Sequence, residues 1–298
     1  MESILPQELM ELVIDELGFE VASSLDDDHP MECRTLQNCA LASRSLRSRA
    51  THWLFFRARL QGKEGYETWI QKRVDKFHNI LVHNPSIGWS VRELFISTAP
   101  DGFKNWWDNK RLISVLGRLC QIQRFSLQHR AGPIRWEALA PKTATAIESI
   151  ILSPSLRKLE LHTIQDFPWF ILHGCRTLKG LSLVCVQTSL QHSTAPVHTA
   201  TANTFPILVS AKIFSALSTE FLLSNPMTAK MFSRLRTLSV GLPYLVGTET
   251  AVNLIIEASQ TLETLNISGL KARSSRYVLL SSVMSKVTHY ALIFDSKL

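Results

Sequence analysis

Several things are missing from this 298-residue chain, and each absence narrows what it can be. No apolar run approaches the roughly 18–20 residues that a membrane-spanning helix needs. The chain opens on Met1-Glu2-Ser3-Ile4-Leu5-Pro6, without the basic start and apolar core of a secretory signal. Its five cysteines, Cys33, Cys39, Cys120, Cys175 and Cys185, are odd in number and never form a C-x-x-C pair. That argues against a disulfide framework or structural zinc and for a reducing compartment, so the expected location is cytoplasmic or nuclear. No G-x-S-x-G, G-x-x-x-x-G-K-[ST], G-x-G-x-x-G or H-E-x-x-H occurs, and the ten histidines are scattered. Asp26-Asp27-Asp28 lacks the Gly and distal Glu of a calcium loop. The sequence therefore leads us to expect no enzyme, no cofactor, no metal and no membrane partner.

What is present is an uneven distribution of charge. Residues 1–62 hold six Arg against ten Asp and Glu, about −4, whereas the remainder holds 26 Lys and Arg against 15 acids, about +11. We therefore expect two domains with different partners, at 1–62 and 63–298. In the first, Leu5, Leu9, Leu12, Val13 and Leu17 recur at helical spacing behind Pro6, and Gly18 is expected to close that helix. Further helical runs cover Thr35 to Arg44 and Leu46 to Leu60, with a solvated loop at Ser23 to Pro30.

These elements carry a specific resemblance. Leu5-Pro6-x-Glu8-Leu9, Ile14-Asp15-Glu16-Leu17, Cys39-Ala40-Leu41-Ala42-Ser43-Arg44-Ser45-Leu46, Arg49-Ala50 and Leu54-Phe55 follow one another in the order and spacing of the F-box. The segment most resembles the F-box of the large fungal (mushroom-type) families. It departs from them in the longer loop from Gly18 to Arg34 and in Leu46, where Trp is usual. The resemblance implies a three-helix F-box that binds a small Skp-type adaptor and, through it, a cullin. The adaptor-binding residues would be Leu5, Pro6, Leu9, Ile14, Leu17, Leu41, Ala42 and Phe55. The whole would be the substrate-recognition adaptor of an SCF-type E3 ubiquitin ligase.

The rest of the chain repeats. Apolar-x-x-apolar-x-apolar segments recur at Val91–Ile96, Ile122–Leu127, Leu156–Leu161, Leu178–Leu183, Leu235–Val240 and Leu262–Ile267, with weaker copies ending at Ile213 and Leu292. Their middle positions, from Leu94 to Tyr290, are on average 28 residues apart, within the leucine-rich-repeat range. Alternating apolar positions suit half-buried strands. Helical runs at Asn109 to Leu119, Phe167 to Thr177, Ile213 to Ser224 and Thr248 to Thr261 lie between them. The expected fold is thus α/β: a parallel sheet in an irregular leucine-rich-repeat solenoid. An ordinary α/β domain is the alternative, because the repeat's usual Asn or Cys is replaced by Ala99, Ile164, Val186, Pro243 and Leu270.

The residues flanking the buried strand positions share one sheet face. Arg124, Gln128, Lys158, Glu160 and His162, at matching positions of two consecutive repeats, are the candidate substrate-binding cluster, suited to an acidic or phosphorylated protein segment. Nucleic acid would call for an unbroken cationic stripe interleaved with aromatics, which these strands lack. A non-ligase scaffold or nucleic-acid-associated protein is the second reading, supported by the excess of +11, and an enzyme on an α/β scaffold the third. If this cluster is not the recognition face, the 187–205 insertion is the next candidate. Trp89, Trp106, Trp107 and Trp136 are expected to cap the first repeats.

Overall fold

The computed structural model describes residues 6–23, 30–61, 68–98, 106–130, 132–186, 206–214, 230–241, 254–255, 258, 260–270 and 289–294. It is a mixed α/β protein built on one large parallel sheet. Three helices come first: α1 (Gln7–Ser23), α2 (Pro30–Ala42) and α3 (Arg44–Leu54). They enclose a small core of Ile14, Leu36, Leu46 and Ala50, against which Met10, Leu17, Val21, Trp53 and Leu54 pack. Within α1, positions 10, 14, 17 and 21 recur at helical spacing, which is why one face of the helix turns inward.

Gly18 does not end α1, contrary to expectation. The helix runs five residues further, and a Cβ at position 18 would lie 2.1 Å from Cγ of Trp53. The glycine is there to let the indole approach. A second link ties α1 to α3: Arg49 bonds Glu11 and Asp15, its Nε donating to Asp15 Oδ1 at 2.7 Å, while Trp53 Nε1 donates to the same oxygen at 2.9 Å. The Arg49 guanidinium is the main cause that holds the Asp15 carboxyl below its ordinary pKa.

The third helix is shorter than expected. Residues 57–60 are not its last turn but part of strand β1 (Arg57–Gln61), which pairs in parallel with β2 (Glu93–Thr98). Helices α4 (Thr68–His83) and α5 (Ile87–Ser90) lie between the two in sequence. Next come α6 (Lys110–Arg118), β3 (Arg124–His129), β4 (Ile134–Arg135), α7 (Pro141–Ile151), β5 (Lys158–His162), β6 (Ile164–Gln165) and β7 (Gly180–Val184). Strands β8 (Ser210–Phe214), β9 (Thr237–Gly241), β10 (Thr264–Leu270) and β11 (His289–Phe294) follow among the described residues. The nine-stranded sheet has the order β1-β2-β3-β5-β7-β8-β9-β10-β11, that of the sequence, and every pairing is parallel. β4 and β6 form a separate parallel pair.

The register aligns the repeat. Leu94, Phe125, Leu159, Leu181, Ala211, Leu238 and Leu265 stand side by side, as do Ile96, Leu127, Leu161, Leu183, Ile213, Val240 and Ile267. All are buried in one core with the leading apolar positions Val91, Ile122, Leu156, Leu178, Leu208, Leu235 and Leu262. Each large side chain so buried contributes about 1.5–3 kcal/mol. Just before the strands, one carbonyl accepts from two successive amides of the next strand: Arg92 O from Gln123 and Arg124, Gln123 O from Arg157 and Lys158, Arg157 O from Lys179 and Gly180. These shared carbonyls set the register where the ladder begins.

Helices α4, α6 and α7 pack in succession, and the 3-10 segment Trp169–Gly174 follows α7. α6 starts as expected, with Asn109 as its cap accepting from the amides of Arg111 (2.8 Å) and Leu112 (3.4 Å). Two other helical expectations differ. The run from Phe167 is a 3-10 segment rather than an α-helix, and Ile213 and Phe214 belong to β8. Of the Thr248–Thr261 run, the described residues Leu254, Ile255 and Ala258 are helical, whereas Gln260 and Thr261 form a turn. The 187–205 insertion lies outside the described residues. Trp107 and Trp136 are core residues beside Leu127, Ile134, Leu139 and Ile164, whereas Trp89 is exposed. Among the described residues no helix is long and apolar enough to cross a membrane.

Candidate functional site

Two surfaces present more chemistry than the fold requires. The first lies on α1 and α2. Leu9, Leu12, Val13 and Phe19 are exposed on α1 (46, 61, 58 and 62 %), and Met31 and Leu41 on α2 (71 and 78 %). A helix that is apolar on its outer as well as its inner side is unusual for a surface helix of a protein with nothing bound there. Of the candidate adaptor-binding residues, Pro6, Leu9, Leu41 and Ala42 are exposed. Ile14 is not available: it is 2 % exposed, at the centre of the three-helix core. Leu17 is half-buried against that core, and Phe55 is half-buried against the main one. Leu5 lies outside the described residues. Leu12, Val13, Phe19 and Met31 were not singled out as surface residues, because apolar spacing alone does not tell which side of a helix the core will take.

The second surface is the sheet face opposite the core, formed by alternate strand residues. Parallel register turns separations of about 30 residues into neighbours roughly 4.8 Å apart. Arg124 stands beside Lys158, and Gln128 beside His162. The five candidate residues are thus on one face, as the alternation required. Their charges are mutually engaged. Arg124 Nη2 donates to Glu160 Oε1 at 2.8 Å, and Lys158 Nζ lies 2.8 Å from the same oxygen. Burial alone would raise the Glu160 pKa, but Lys158 and Arg124 outweigh it and hold the carboxyl below its ordinary value. His162 is held below the usual imidazole pKa by burial, with Lys212 adding to that effect and Glu160 opposing it. At neutral pH it is an uncharged donor and acceptor rather than a cation.

The cluster extends further than the sequence indicated. Arg57 Nε donates to Glu93 Oε2 at 2.7 Å. Phe95, between β1 and β3, has three guanidinium groups about its ring, those of Arg57, Arg59 and Arg124, at 5.5, 5.8 and 4.9 Å from the centroid. Lys212 is exposed, with its ammonium 5.0 Å from the Phe214 ring centroid, and Gly241 leaves the space that Phe214 occupies. Arg57, Arg59 and Phe214 were missed because Arg57–Leu60 and Ile213–Phe214 had been assigned to helices, whereas Lys212, inside the weaker strand copy that ends at Ile213, was not singled out. The alternation Arg57-Ala58-Arg59-Leu60-Gln61 was the available signal, weakened by Ala58 in an apolar position.

No group of three His, Cys, Asp or Glu among the described residues could hold a metal. Cys175 is buried, its thiol pKa pushed up to about 12 by desolvation, so it is a packed small hydrophobe. The two surfaces and the fold define an α/β protein with an apolar helical face at one end of the chain and a charged sheet face beyond it. No protein-family model matches the chain, and no curated protein is significantly similar to it.

Proposed function

We propose that this chain is an F-box protein: a substrate-recognition adaptor that joins a protein client to an SCF-type, cullin-based ubiquitin ligase through a Skp-type adaptor. The observation that carries the reading is a coincidence of two independent facts. The segment whose sequence resembles an F-box folds as three helices, and it leaves Leu9, Leu12, Val13, Phe19, Met31 and Leu41 in solvent. Three or four such side chains, each worth about 1.5–3 kcal/mol when buried, suffice for stable association after its entropic cost.

In the same reading the parallel sheet is an irregular leucine-rich-repeat solenoid whose charged face receives the client. Strand order identical to sequence order and a mean repeat of 28 residues support this. Where the regular repeat has a polar Asn or Cys, Ile164 and Val186 are buried (1 and 0 %), so apolar packing takes the place of the usual side-chain hydrogen bonds.

The test is co-expression with a Skp-type adaptor followed by affinity capture and size-exclusion chromatography. The double variant Leu9→Asp, Leu41→Asp should lose the adaptor yet keep its circular dichroism, because both positions are exposed. A wild-type chain that elutes alone, or a variant that retains the adaptor undiminished, rules the reading out.

A further inference from the structure

A third surface is the rim at which the chain enters the sheet. Because the strands are parallel and in register, the segments leading into β2, β3, β5, β7, β8, β9 and β10 lie at one end of it. They are residues 84–92, 119–123, 152–157, 175–179, 206–209, 233–236 and 260–263. The shared carbonyls that open the ladder bring their last residues into one rank, from Arg92 through Arg157, Lys179 and Arg236 to Glu263. The segments hold six cations, Arg92, Arg157, Arg176, Lys179, Arg234 and Arg236, against the single carboxylate of Glu263, an excess of five. Little of that charge is neutralised. Arg92 and Arg157 donate to neutral oxygens, of Gln121 and Thr177 respectively. Arg236 and Glu263 meet at 3.6 Å with both side chains more than half exposed. Arg176, Lys179 and Arg234 make no side-chain hydrogen bond or ion pair among the described residues. Exposed apolar side chains fall in the same segments: Trp89, Leu152, Ile207 and Val209. The opposite end of the sheet differs. Where the chain leaves β3, β5 and β7, residues 130, 132–140, 163–168 and 185–186 set Arg130 and Arg135 against Glu137 and Asp166, and expose no large apolar side chain.

We propose that this rim lies on an anionic lipid surface, its cations meeting the headgroups while Trp89, Leu152, Ile207 and Val209 enter the boundary between headgroups and acyl chains. The inference stands apart from the ligase reading and does not depend on it. It is carried by a coincidence: net positive charge and exposed apolar side chains share one end of the sheet and are both missing from the other. Peripheral attachment draws on both, on cations for attraction to anionic lipid and on apolar side chains for burial at the interface. From Arg92 to Arg236 the strand order makes five interstrand steps, so the rank is about 24 Å long and reaches many headgroups at once. A nucleic acid would use the cations, and could stack on Trp89, but would leave Leu152, Ile207 and Val209 without a role. A purely acidic peptide would leave all four without one. A membrane-spanning run is a local signal, which this chain lacks. A rim assembled from seven separate segments has no local signal, so the expectation of no membrane partner did not reach it.

The experiment is co-sedimentation of the full chain with vesicles of phosphatidylcholine alone or with about 30 % phosphatidylserine, whose negative surface attracts nearby Lys and Arg. The chain should partition onto the serine-containing vesicles, less as salt rises, and at least about tenfold more weakly onto phosphatidylcholine alone. Lys179→Glu, Arg234→Glu, which reverses two exposed and unpaired cations of the rim, should weaken partitioning at least about tenfold, since each cation near such a surface is worth about fivefold. Trp89→Ser, Ile207→Ser, which alters no charge, should weaken it at least about threefold. Arg130→Glu, Arg135→Glu makes the same change of charge at the opposite end of the sheet and should leave it unchanged. All six positions are half-buried at most or exposed, so the variants should keep the wild-type circular dichroism. No partitioning of the wild type onto the serine-containing vesicles, or an equal loss in the two charge-reversal variants, overturns the proposal. So does full retention by Trp89→Ser, Ile207→Ser, which would mark the rim as a site for a polyanion of another class. Release of the wild type from the vesicles by duplex DNA or polyglutamate, at a charge concentration below that of the lipid, would overturn it in the same way.

Discussion

Glu160 is where the sheet face and the stability of the fold meet, and replacing it by Gln separates the two. Its side chain is 11 % exposed, and it neutralises Arg124 (20 %) and Lys158 (44 %). Removing one partner of a fully buried ion pair costs about 3–5 kcal/mol, whereas an exposed pair contributes about 0–1 kcal/mol. This triad lies between those limits: Lys158 is partly hydrated, and Gln retains a hydrogen-bond acceptor. Glu160→Gln should therefore cost about 1–2 kcal/mol at pH 7, a fall in the urea midpoint of about 0.3–0.7 M for a slope near 3 kcal/mol/M. The pH dependence fixes the cause. The folded-state pKa of Glu160 lies below its unfolded value, so its contribution is fully present above the unfolded pKa and is lost as pH falls through the folded one. The wild type's advantage should hold from pH 7 to about pH 5 and shrink below about pH 4, since Gln does not titrate. The same change removes the carboxylate shared by Arg124 and Lys158, so it should make the sheet face more positive while lowering stability. Urea melts followed by circular dichroism across that pH range test this. A difference between the two proteins that is flat with pH, or absent at pH 7, would refute the electrostatic account.

Gly18→Ala should destabilise the N-terminal helices by about 1–3 kcal/mol, although Ala is the better helix former by about 1 kcal/mol, because its Cβ would meet the Trp53 ring; thermal melts read by tryptophan fluorescence decide which effect prevails. Asn109→Ala should cost about 1 kcal/mol by uncapping α6 and removing the 2.6 Å bond from Asn109 Nδ2 to Gln71 Oε1, seen as a lower urea midpoint. In the native protein at pH 8, iodoacetamide should modify exposed Cys120 and Cys185 and leave Cys175 unmodified until the chain unfolds, as peptide mass mapping would show.

The strands were legible because alternation and recurrence were both present. Val91-x-x-Leu94-x-Ile96 and its successors supplied an inward face, and their recurrence along the chain supplied the order of the sheet. What could not be read were elements whose local pattern is shared by two structures. Arg57–Gln61 follows a helix without Gly or Pro to mark the break, and Ile213-Phe214 opens a run with helical as well as strand character. In both cases pairing with a neighbouring strand decided the outcome, and pairing is not a local property. The same limit applies to α1. Its residues are apolar on both sides, so the spacing that predicts the helix does not say that Ile14 is core and Leu12 surface.

The candidate site also explains why its charges could be placed but not weighed. Arg124 and Glu160 are 36 residues apart in sequence, and only the in-register ladder makes them partners. Because each strand contributes one side chain to each row, a face residue can change without disturbing the core residues on either side of it. Such positions are free to differ in charge wherever they are exposed, as at Lys212, and constrained wherever they are paired and buried, as at Glu160. Recognition by this face should thus be tuned at the exposed cations, with the Arg124–Glu160–Lys158 triad as the fixed frame. Charge reversal at Lys212 should alter affinity without lowering the urea midpoint, and the same reversal at Arg124 should lower both.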